Sequence, residues 1–563
     1  QMIGNYKKAK LISIFLTILL FTLGSFYLFI QEVYELQFSS SEYYRNQAFS
    51  YREKIETIEA RRGSILDENY IVLADNISSF NIGIYPKKIK NTKQISELLS
   101  PLLKISSDEI FEKIDNNLNY FYLKRNVDFE VGEKIKKWNY EGINVESSNK
   151  RVIYANSVGK IIGQVDPDGN GIEGLELFFD NKLKGIDGEL RYEAAPNGDV
   201  IPQGKIKTID PVHGEDLILS IDSELQYIAE KLCEEAILDT GSFKCSVVFA
   251  NANTGQIIIS AEKSSFDNDY FDINLISARA SYEPGSALKI FTVGSLIDKG
   301  SLNENDIFLV EDQIEIIKNS CQKLYTGLNG CFKDFLKHEP YEISVKEIIE
   351  RSSNVGTIKV TENTQIDDIE RYLKKFGFGE KTGVELTGET KGSFMEYKAC
   401  LTCLSSLSIG YSINVSQYQM VRAYSIIANG GYDVKLSLIQ KDKVEINNIP
   451  VISDDMSKRL KNLLINVVEG ENGTGKSLRT EGYVIGGKTG TSRTHLEGVG
   501  YSDNRFNTSF TGFVETREGP VVGSILLWGA NISQNSEYVT GGSTAAPIFK
   551  NIISYFIPED QSR

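Results

Sequence analysis

The sequence predicts a multidomain α+β protein with a single N-terminal transmembrane helix. Three features support this fold class: an uncharged apolar run near the N-terminus, a following region of mixed strand and helix patterns, and a C-terminal part with the strand–helix–hairpin order typical of an antiparallel sheet flanked by helices. A chain of 563 residues exceeds what one hydrophobic core supports, so at roughly 100–200 residues per domain we expect two to four domains.

The amino-acid composition and net charge limit the classes of protein to which this chain can belong. Hydrophobic residues make up 41% and charged residues 24% of the chain, values that are typical of globular proteins and exclude both disorder and a polytopic membrane protein. The formal net charge is -15 and no long run of lysine and arginine occurs, whereas phosphate binding requires a basic surface. The sequence therefore predicts no nucleic-acid partner.

The apolar run Leu11–Ile30 is long enough to cross a membrane. Its uncharged residues form about 30 Å of helix, one hydrocarbon thickness. Lysines precede the run and glutamates follow it (Lys7, Lys8, Lys10; Glu32, Glu35). The positive-inside rule then predicts a cytoplasmic tail at 1–10, an anchor at 11–31 and an extracytoplasmic remainder. A cleaved signal peptide and a buried core helix are the alternatives, but the QEVYELQ that follows lacks the small residues of a cleavage site.

Residues 32–212 combine strand and helix patterns and contain no catalytic constellation. Alternating stretches at Phe80–Ile84 and Tyr120–Leu123 predict strands. Charged stretches at Ile95–Leu103 and Glu130–Trp138 predict helices. This region is therefore expected to form an α+β domain.

Residues 213–563 begin with a pattern typical of an enzyme core. Leu217–Ile221 predicts a strand, Asp222 a helix N-cap, and Leu225–Leu238 an amphipathic helix. Cys245–Ala252 and Gln256–Ala261, joined by an Asn-Thr-Gly turn, predict a β-hairpin. A helix beside an antiparallel sheet is the start expected of a serine acyl-transferase domain.

The first candidate catalytic pair is Ser286 and Lys289. They follow the loop Tyr282–Gly285 and open the apolar segment Ile290–Ile297, so their i and i+3 positions lie on one helical face. A serine hydroxyl needs a nearby base, and a lysine can serve when burial or a second cation lowers its pKa. A single SxxK pattern is more often structural.

Two further motifs follow in order. Ser352-Ser353-Asn354, after the helical stretch Val345–Arg351, places a hydroxyl and an amide in a loop between two helices. Lys488-Thr489-Gly490-Thr491 follows Tyr483–Gly487, a predicted strand whose glycines permit a ligand to lie against the backbone.

Together the three motifs resemble those of class B penicillin-binding proteins, because SxxK, SDN and KTG motifs occur in penicillin-binding proteins and class A β-lactamases. SxN in place of SDN favours the penicillin-binding side. Four flanking segments agree with this family: Phe376–Gly379 (FGFG), Leu407–Tyr411 (LSIGY), Phe510–Phe513 (FTGF) and Gly541–Pro547 (GGSTAAP).

The resemblance extends to the N-terminal half and covers about residues 60–555. Arg62–Asp67 (RGSILD) with Val72–Ala74, and Gly171–Glu176 (GIEGLE) with Gly185–Gly188, are similar to the family's N-terminal pedestal. Glu68-Asn69-Tyr70 stands where the family has Arg-Asn-Gly. The resemblance implies an elongated, dimerisation-like pedestal at 32–212 and a penicillin-binding transpeptidase domain, similar in fold to serine β-lactamases, at 213–563.

The function implied by this resemblance is peptidoglycan D,D-transpeptidation, with carboxypeptidase activity as a side reaction and no cofactor required for the chemistry. Catalytic roles fall on Ser286 as nucleophile, Lys289 as base, Ser352 as proton relay, Asn354 as holder of the substrate amide, and Lys488. Substrate binding falls on Thr489, Gly490 and Thr491. The implied partners are peptidoglycan stem peptides, β-lactams that acylate Ser286, and a SEDS-type membrane glycosyltransferase.

The six cysteines leave alternatives open. Cys233 and Cys245 are expected in the core because they lie on an apolar helix face and in a strand. Cys321, Cys331 and His338, with Asp334 as a fourth ligand, have the chemistry of a structural zinc site, which the Cys400/Cys403 pair could also complete. Disulfides or free thiols are the other interpretations, and outside the membrane disulfides are common.

Other functional classes share some of these motifs. A serine β-lactamase or a β-lactam sensor would also carry SxxK and KTG, but a hydrolase needs a base for its deacylating water. No ExxLN-like loop occurs between Ser352 and Lys488. An inactive scaffold of a cell-wall complex is the non-enzyme alternative, and the intact motifs argue against it.

Overall fold

The computed structural model describes residues 2–39, 41–195, 200–201, 206–265, 275–322, 330–396, 400–441, 449–496, 498, 500–531 and 539–557. The chain divides into two compact units. One consists of Gln1–Arg61 with Lys184–Gly214, and the other of Arg62–Leu183 with Glu215–Arg563.

Helices and strands follow one another in the mixed order expected of an α+β protein. The strands are β1 (Glu53–Ile58), β2 (Ile65–Leu66), β3 (Val72–Ile84), β4 (Phe121–Asp128), β5 (Ile143–Ile153), β6 (Gly188–Glu193), β7 (Ile206–Ile209), β8 (Leu217–Ile218), β9 (Lys244–Asn251), β10 (Ile257–Ser264), β11 (Ile307–Val310), β12 (Gln313–Glu315), β13 (Cys331–Lys333), β14 (Tyr341–Ser344), β15 (Ser393–Phe394), β16 (Ile413–Asn414), β17 (Ile485–Leu496), β18 (Gly500–Thr516) and β19 (Gly519–Asn531). The helices are α1 (Met2–Tyr34), α2 (Ser41–Arg52), α3 (Thr92–Leu103), α4 (Ser107–Asp115), α5 (Phe129–Lys136), α6 (Gly159–Ile162), α7 (Gly174–Phe178), α8 (Asp180–Leu183), α9 (Ser223–Thr240), α10 (Ile276–Arg279), α11 (Lys289–Asp298), α12 (Val345–Arg351), α13 (Asn354–Thr361), α14 (Ile366–Lys375), α15 (Cys403–Ser408), α16 (Gln417–Ala428), α17 (Asp454–Glu469) and α18 (Ala545–Ile553).

The first unit contains the apolar N-terminal helix. The stretch Tyr6–Phe38 has a mean hydropathy of 2.2 over its most apolar window and is long enough to cross a membrane. Leu11–Ile30 is exposed along its whole length, as expected of a helix whose partner is lipid. The same unit holds the antiparallel sheet β1-β6-β7, in which Glu53 pairs with Glu193 and Glu189 with Ile209.

In the second unit, the N-terminal α+β layer is built on the long strand β3. This strand pairs antiparallel with β5 and β4, and the sheet continues through β2 to β8. Helix α3 contributes Ile95, Leu99 and Leu103, spaced four residues apart on one face, to a core with Phe80 and Ile82.

A buried ion pair joins the two sequence landmarks of this layer. Arg62 Nε donates to Glu176 Oε2 at 2.7 Å, and Arg151 Nε donates to Glu176 Oε1 at 2.6 Å. Arg62 and Glu176 are only 5% and 1% exposed. Taken alone, each landmark is a turn between short strands. In the structure the RGSILD segment supplies Arg62 and the GIEGLE segment supplies Glu176, so each also contributes one partner of this charge cluster.

The C-terminal part of the second unit is an antiparallel five-stranded sheet in the order β10-β9-β19-β18-β17. Helices α9 and α18 pack against one face, and α11, α16 and α17 belong to the core cluster on the other. The predicted fold class, an α+β protein with an N-terminal apolar helix and an antiparallel sheet flanked by helices, is confirmed.

Local predictions in this part hold, with shifts at strand ends. The side chain of Asp222 accepts from Glu224 N and Leu225 N and caps helix α9, as predicted. Strand β8 ends at Ile218, three residues earlier than predicted, because Leu219 leaves the β2 pairing and forms an isolated bridge with Ile439. Strand β17 begins at Ile485, two residues later than predicted.

Candidate active site

Ser286 lies in a single 3-10 turn, Gly285–Leu288, that leads into helix α11. Gly285 has φ +53° and donates its N–H to the carbonyl of Gly410 at 3.0 Å, which fixes the turn against the LSIGY segment. Side chains at i and i+3 eclipse one another in a 3-10 turn, so Ser286 and Lys289 lie on one face. Ser286 is half-buried, whereas Ala287 and the residues after it are buried.

Lys289 is completely buried, and its partners come from the SxN loop. Its Nζ donates to the carbonyl of Ser352 at 2.6 Å and to Asn354 Oδ1 at 2.7 Å, and it lies 3.5 Å from Ser352 Oγ. Burial lowers the pKa of Lys289 to about 7, although the negative charge of Asp334 opposes this shift. A neutral amine has two N–H groups, and each finds an oxygen here, which leaves the nitrogen lone pair available to take a proton.

The SxN loop owes its shape to a left-handed residue. Ser352 has φ +61° and ends helix α12, after which Ser353 caps helix α13 by accepting from Gly356 N at 2.8 Å. A non-glycine residue rarely adopts this conformation, and it is found mostly at turns and functional sites. The turn directs both the Ser352 carbonyl and the Asn354 side chain at Lys289.

Lys488 lies on β17, the edge strand of the sheet, and is completely buried. Its Nζ donates to the carbonyl of Thr489 at 3.2 Å. Burial, and secondarily the positive charge of Lys289, hold the pKa of Lys488 well below its ordinary value. The two lysines are therefore electrostatic neighbours, although 199 positions separate them in the sequence.

The remaining KTGT residues line the same edge strand. Thr489 Oγ1 donates to Thr474 Oγ1 at 2.8 Å, and Thr491 Oγ1 accepts from Gly541 N at 3.3 Å. A Cβ on Gly490 would lie 2.8 Å from the carbonyl oxygen of Pro284, so only glycine lets the strand approach the turn that carries Ser286.

Residues outside the three motifs also hold the turn that carries Ser286. Tyr424 OH donates to the carbonyl of Ala287 at 2.8 Å, and Ser492 Oγ donates to the carbonyl of Glu283 at 2.8 Å. The carboxylate of Glu283 accepts from Tyr501 OH at 2.9 Å. Sequence reasoning missed Tyr424 and Tyr501, since nothing local distinguishes a tyrosine that bonds a distant backbone from a core tyrosine.

The predicted zinc site is wrong. Cys321 is joined to Cys331 and Cys400 to Cys403 by disulfides, so none of these sulfurs is a free thiolate. Within the part of the chain that the structure describes, no group of three His, Cys, Asp or Glu side chains is arranged to hold a metal. Of the predicted ligands, His338 and Asp334 do meet, at 3.2 Å.

Cys233 and Cys245 lie in the core as predicted, but they also form a disulfide. The bond joins helix α9 to strand β9. Sequence patterns placed each cysteine correctly on its element and gave no sign that the helix crosses the strand at that point.

Two family models match the chain. The penicillin binding protein transpeptidase domain matches residues 245–554, and the penicillin-binding protein dimerisation domain matches residues 57–219. The first match covers more than half of the chain, which therefore belongs to the penicillin-binding protein transpeptidase family.

Individual proteins that are similar to this chain carry names that agree with this family. Stage V sporulation protein D of Bacillus subtilis is 27% identical over 525 residues, covering 89% of this chain and 78% of that protein. A probable peptidoglycan D,D-transpeptidase, PbpC of Pseudomonas aeruginosa, is 27% identical over 556 residues, covering 96% and 94% respectively. Penicillin binding protein 3 of Mycobacterium tuberculosis, solved with aztreonam, shares the fold with a TM-score of 0.65 at 23% identity, covering 90% of this chain and 98% of that one.

Proposed function

We propose that this chain is a membrane-anchored peptidoglycan D,D-transpeptidase that β-lactams acylate and inhibit. The observation that carries the proposal is the environment of Lys289. This lysine is fully buried, its N–H groups face the Ser352 carbonyl and the Asn354 amide oxygen, and its pKa is lowered to about 7. Such a group is a general base near neutral pH, one turn away from Ser286.

Acylation follows from these positions. The donor is a stem peptide that ends in D-Ala-D-Ala, and Ser286 Oγ attacks the carbonyl carbon of the penultimate D-alanine while Lys289 takes the hydroxyl proton. The C–N bond then breaks, and the proton passes by way of Ser352 to the nitrogen of the departing D-alanine. An ester on Ser286 remains.

Transfer completes the cycle. An amine of a second stem peptide attacks the ester carbonyl, the ester C–O bond breaks, and the amine's proton returns to Ser286 through Lys289. The product is a peptide cross-link. Water in place of the amine gives carboxypeptidase activity, and no step needs a cofactor.

Substrate binding is assigned to the edge strand. Among the residues that the structure describes, β17 pairs with β18 alone, so its other edge offers backbone groups to an extended peptide. Lys488 with the hydroxyls of Thr489 and Thr491 suits the terminal carboxylate, and Gly490 permits close approach. The backbone N–H groups of Ser286 and Thr491 are assigned to the oxyanion hole, where one donor contributes about 3–4 kcal/mol of transition-state stabilisation.

The domain plan and topology belong to the same proposal. We assign 1–10 to a cytoplasmic tail, 11–31 to a single-pass anchor, 32–212 to the pedestal and 213–563 to an extracytoplasmic transpeptidase domain. The lysines before the apolar run Leu11–Ile30 and the glutamates after it support this orientation. The family resemblance supports a SEDS-type membrane glycosyltransferase as the partner that supplies glycan strands.

A fluorescent penicillin tests the proposal on the full-length protein in detergent. We expect one covalent label per chain, located on Ser286 by peptide mass spectrometry and absent from Ser286→Ala. Lys289→Ala should keep its fold, judged by circular dichroism, and lose acylation. Labelling of Ser286→Ala, or rapid turnover of the penicillin by the wild type, would contradict the assignment.

A further inference from the structure

Asp334 caps the helix that carries Asn354, although it lies 20 residues earlier in the chain. Its Oδ1 accepts the N–H of Asn354 at 2.5 Å and the N–H of Val355 at 3.0 Å. Its Oδ2 accepts the Ser353 hydroxyl at 2.7 Å and faces His338 Nε2 at 3.2 Å. The side chain is only 8% exposed. A buried carboxylate with four hydrogen-bond partners has one available geometry, because any other leaves a charge unsatisfied.

These bonds determine how Asn354 faces Lys289. The backbone N–H of Asn354 is held by Asp334, and its Nδ2 donates to the carbonyl of the adjacent Lys333 at 2.8 Å. The amide group therefore points its nitrogen away from the lysine and presents Oδ1 to Lys289 Nζ at 2.7 Å. Asp334 thus holds the backbone N–H of Asn354, and the carbonyl of Lys333 holds its side-chain amide nitrogen.

The segment that precedes Asp334 is held by strand pairing and by a disulfide. Asp334 follows strand β13, which pairs with β12 in the register Gln313–Lys333 to Glu315–Cys331. Strands of three residues are marginal by themselves. The Cys321–Cys331 disulfide ties the first residue of β13 to the 3-10 turn Ser320–Gln322 that follows β12, which gives the segment before Asp334 a covalent support.

We propose that Asp334 is a positioning residue for acylation: it holds the first turn of helix α13 so that Asn354 Oδ1 and the Ser352 carbonyl stay on Lys289. This inference rests on the proposed function of Ser286 and Lys289 and adds a residue outside the three motifs. Asp334 also acts through its charge, since its negative charge raises the pKa of Lys289, which burial lowers.

The test compares three variants of the full-length protein by the second-order rate of acylation with a fluorescent penicillin between pH 5.5 and 9. Asp334→Asn should acylate up to about 100-fold more slowly, the loss expected when a catalytic group shifts by about 1 Å. Its pH inflection should also lie below that of the wild type, because the neutral amide no longer raises the pKa of Lys289. Asp334→Glu retains the charge, so its inflection should match the wild type while its rate falls.

The pH comparison must account for every titratable group near this site. Lys289, Lys488, His338 and Tyr341 face Asp334 or one another across the site. Asp334→Asn and Asp334→Glu differ from the wild type only at residue 334, so a shifted inflection in Asp334→Asn alone isolates the carboxylate charge.

Glu347→Gln is the matched control. Glu347 is also a capping carboxylate, accepting from Ser344 N at 2.9 Å in the capping box of the preceding helix α12, but it bonds neither Lys289 nor Asn354. Its acylation rate and inflection should equal those of the wild type. Equal losses in Glu347→Gln and Asp334→Asn would mean that any loosened helix cap slows the enzyme, and the inference would fail.

Other outcomes are also decisive. A folded Asp334→Asn with the wild-type rate and inflection overturns the inference and leaves the proposed function intact. Absence of labelling in the wild type overturns the proposed function instead. If Asp334→Asn does not fold, Asp334→Ser, which keeps a short capping side chain, takes its place; failure of both to fold makes Asp334 a folding residue and refutes a positioning role.

Discussion

The pH dependence of acylation is the sharpest consequence of the site's electrostatics. If Lys289 is the general base, only its neutral form accepts the proton of Ser286. With a pKa of about 7, roughly 90% of the lysine is neutral at pH 8 and roughly 10% at pH 6. The second-order rate of acylation by a fluorescent penicillin should therefore fall about tenfold between pH 8 and pH 6 and level off above pH 8.

An unperturbed lysine predicts a different curve. With an ordinary pKa of 10.5, the neutral fraction would increase about tenfold per pH unit across the whole range, a change of about 100-fold between pH 6 and pH 8 with no plateau. Stopped-flow or gel-based labelling from pH 5.5 to pH 9, with thermal melting at each pH to confirm folding, distinguishes the two curves. A rate that increases steadily to pH 9, or that does not change with pH, would refute the conclusion that burial lowers the pKa of a catalytic Lys289.

A histidine must be excluded as the source of an inflection in this range, because imidazole ordinarily titrates near neutral pH. His338 is the relevant ring, since it lies 3.2 Å from Asp334. His338→Gln should retain the inflection. Its loss in that variant would assign the titration to the imidazole rather than to Lys289.

Three further predictions concern the framework of the site. The double variant Cys321→Ser/Cys331→Ser should lose about 2–3 kcal/mol of local stability and acylate more slowly, measured with and without reductant, because β13, which leads to Asp334, loses its covalent tie to the turn after β12; unchanged acylation would contradict this. Arg62→Met should lower the free energy of unfolding by about 3 kcal/mol in chemical denaturation, because it removes one of two arginine partners from the buried carboxylate of Glu176; a loss under about 1 kcal/mol would contradict it. Gly490→Ala should reduce acylation without unfolding the protein, because its Cβ would displace the turn that carries Ser286, and a wild-type rate would show that the strand can move away.

Patterns that depend on neighbouring residues were predictable from the sequence. The spacing of Ser286 and Lys289 fixes their common face whether the turn is 3-10 or α-helical. The N-cap at Asp222 and the hairpin of β9 and β10 follow from side-chain chemistry and from turn residues within a few positions. The motif order then indicated which distant segments had to meet, although not how.

Contacts between distant segments were not predictable. The Ser352 carbonyl accepts a hydrogen bond from Lys289 Nζ because Ser352 adopts a left-handed conformation. No pattern of residue types reveals that conformation. The zinc prediction failed for a related reason. Two cysteines, a histidine and an aspartate within eighteen residues have the chemistry of a metal site, but the two cysteines form a disulfide and Asp334, which follows β13, caps a helix end.

In the proposed mechanism, the two buried lysines let one site both bind a carboxylate and generate a base. Burial disfavours a positive charge on each, and the charge of Lys289 further disfavours a proton on Lys488. A carboxylate that arrives beside Lys488 favours protonation there, and the resulting ammonium lowers the affinity of Lys289 for its own proton. In that mechanism, substrate binding leaves the proton on Lys488 and keeps Lys289 beside Ser286 neutral, while the negative charge of Asp334 opposes the lowering of the Lys289 pKa. In this proposal the carboxylate of the substrate contributes to the catalytic electrostatics as well as to recognition.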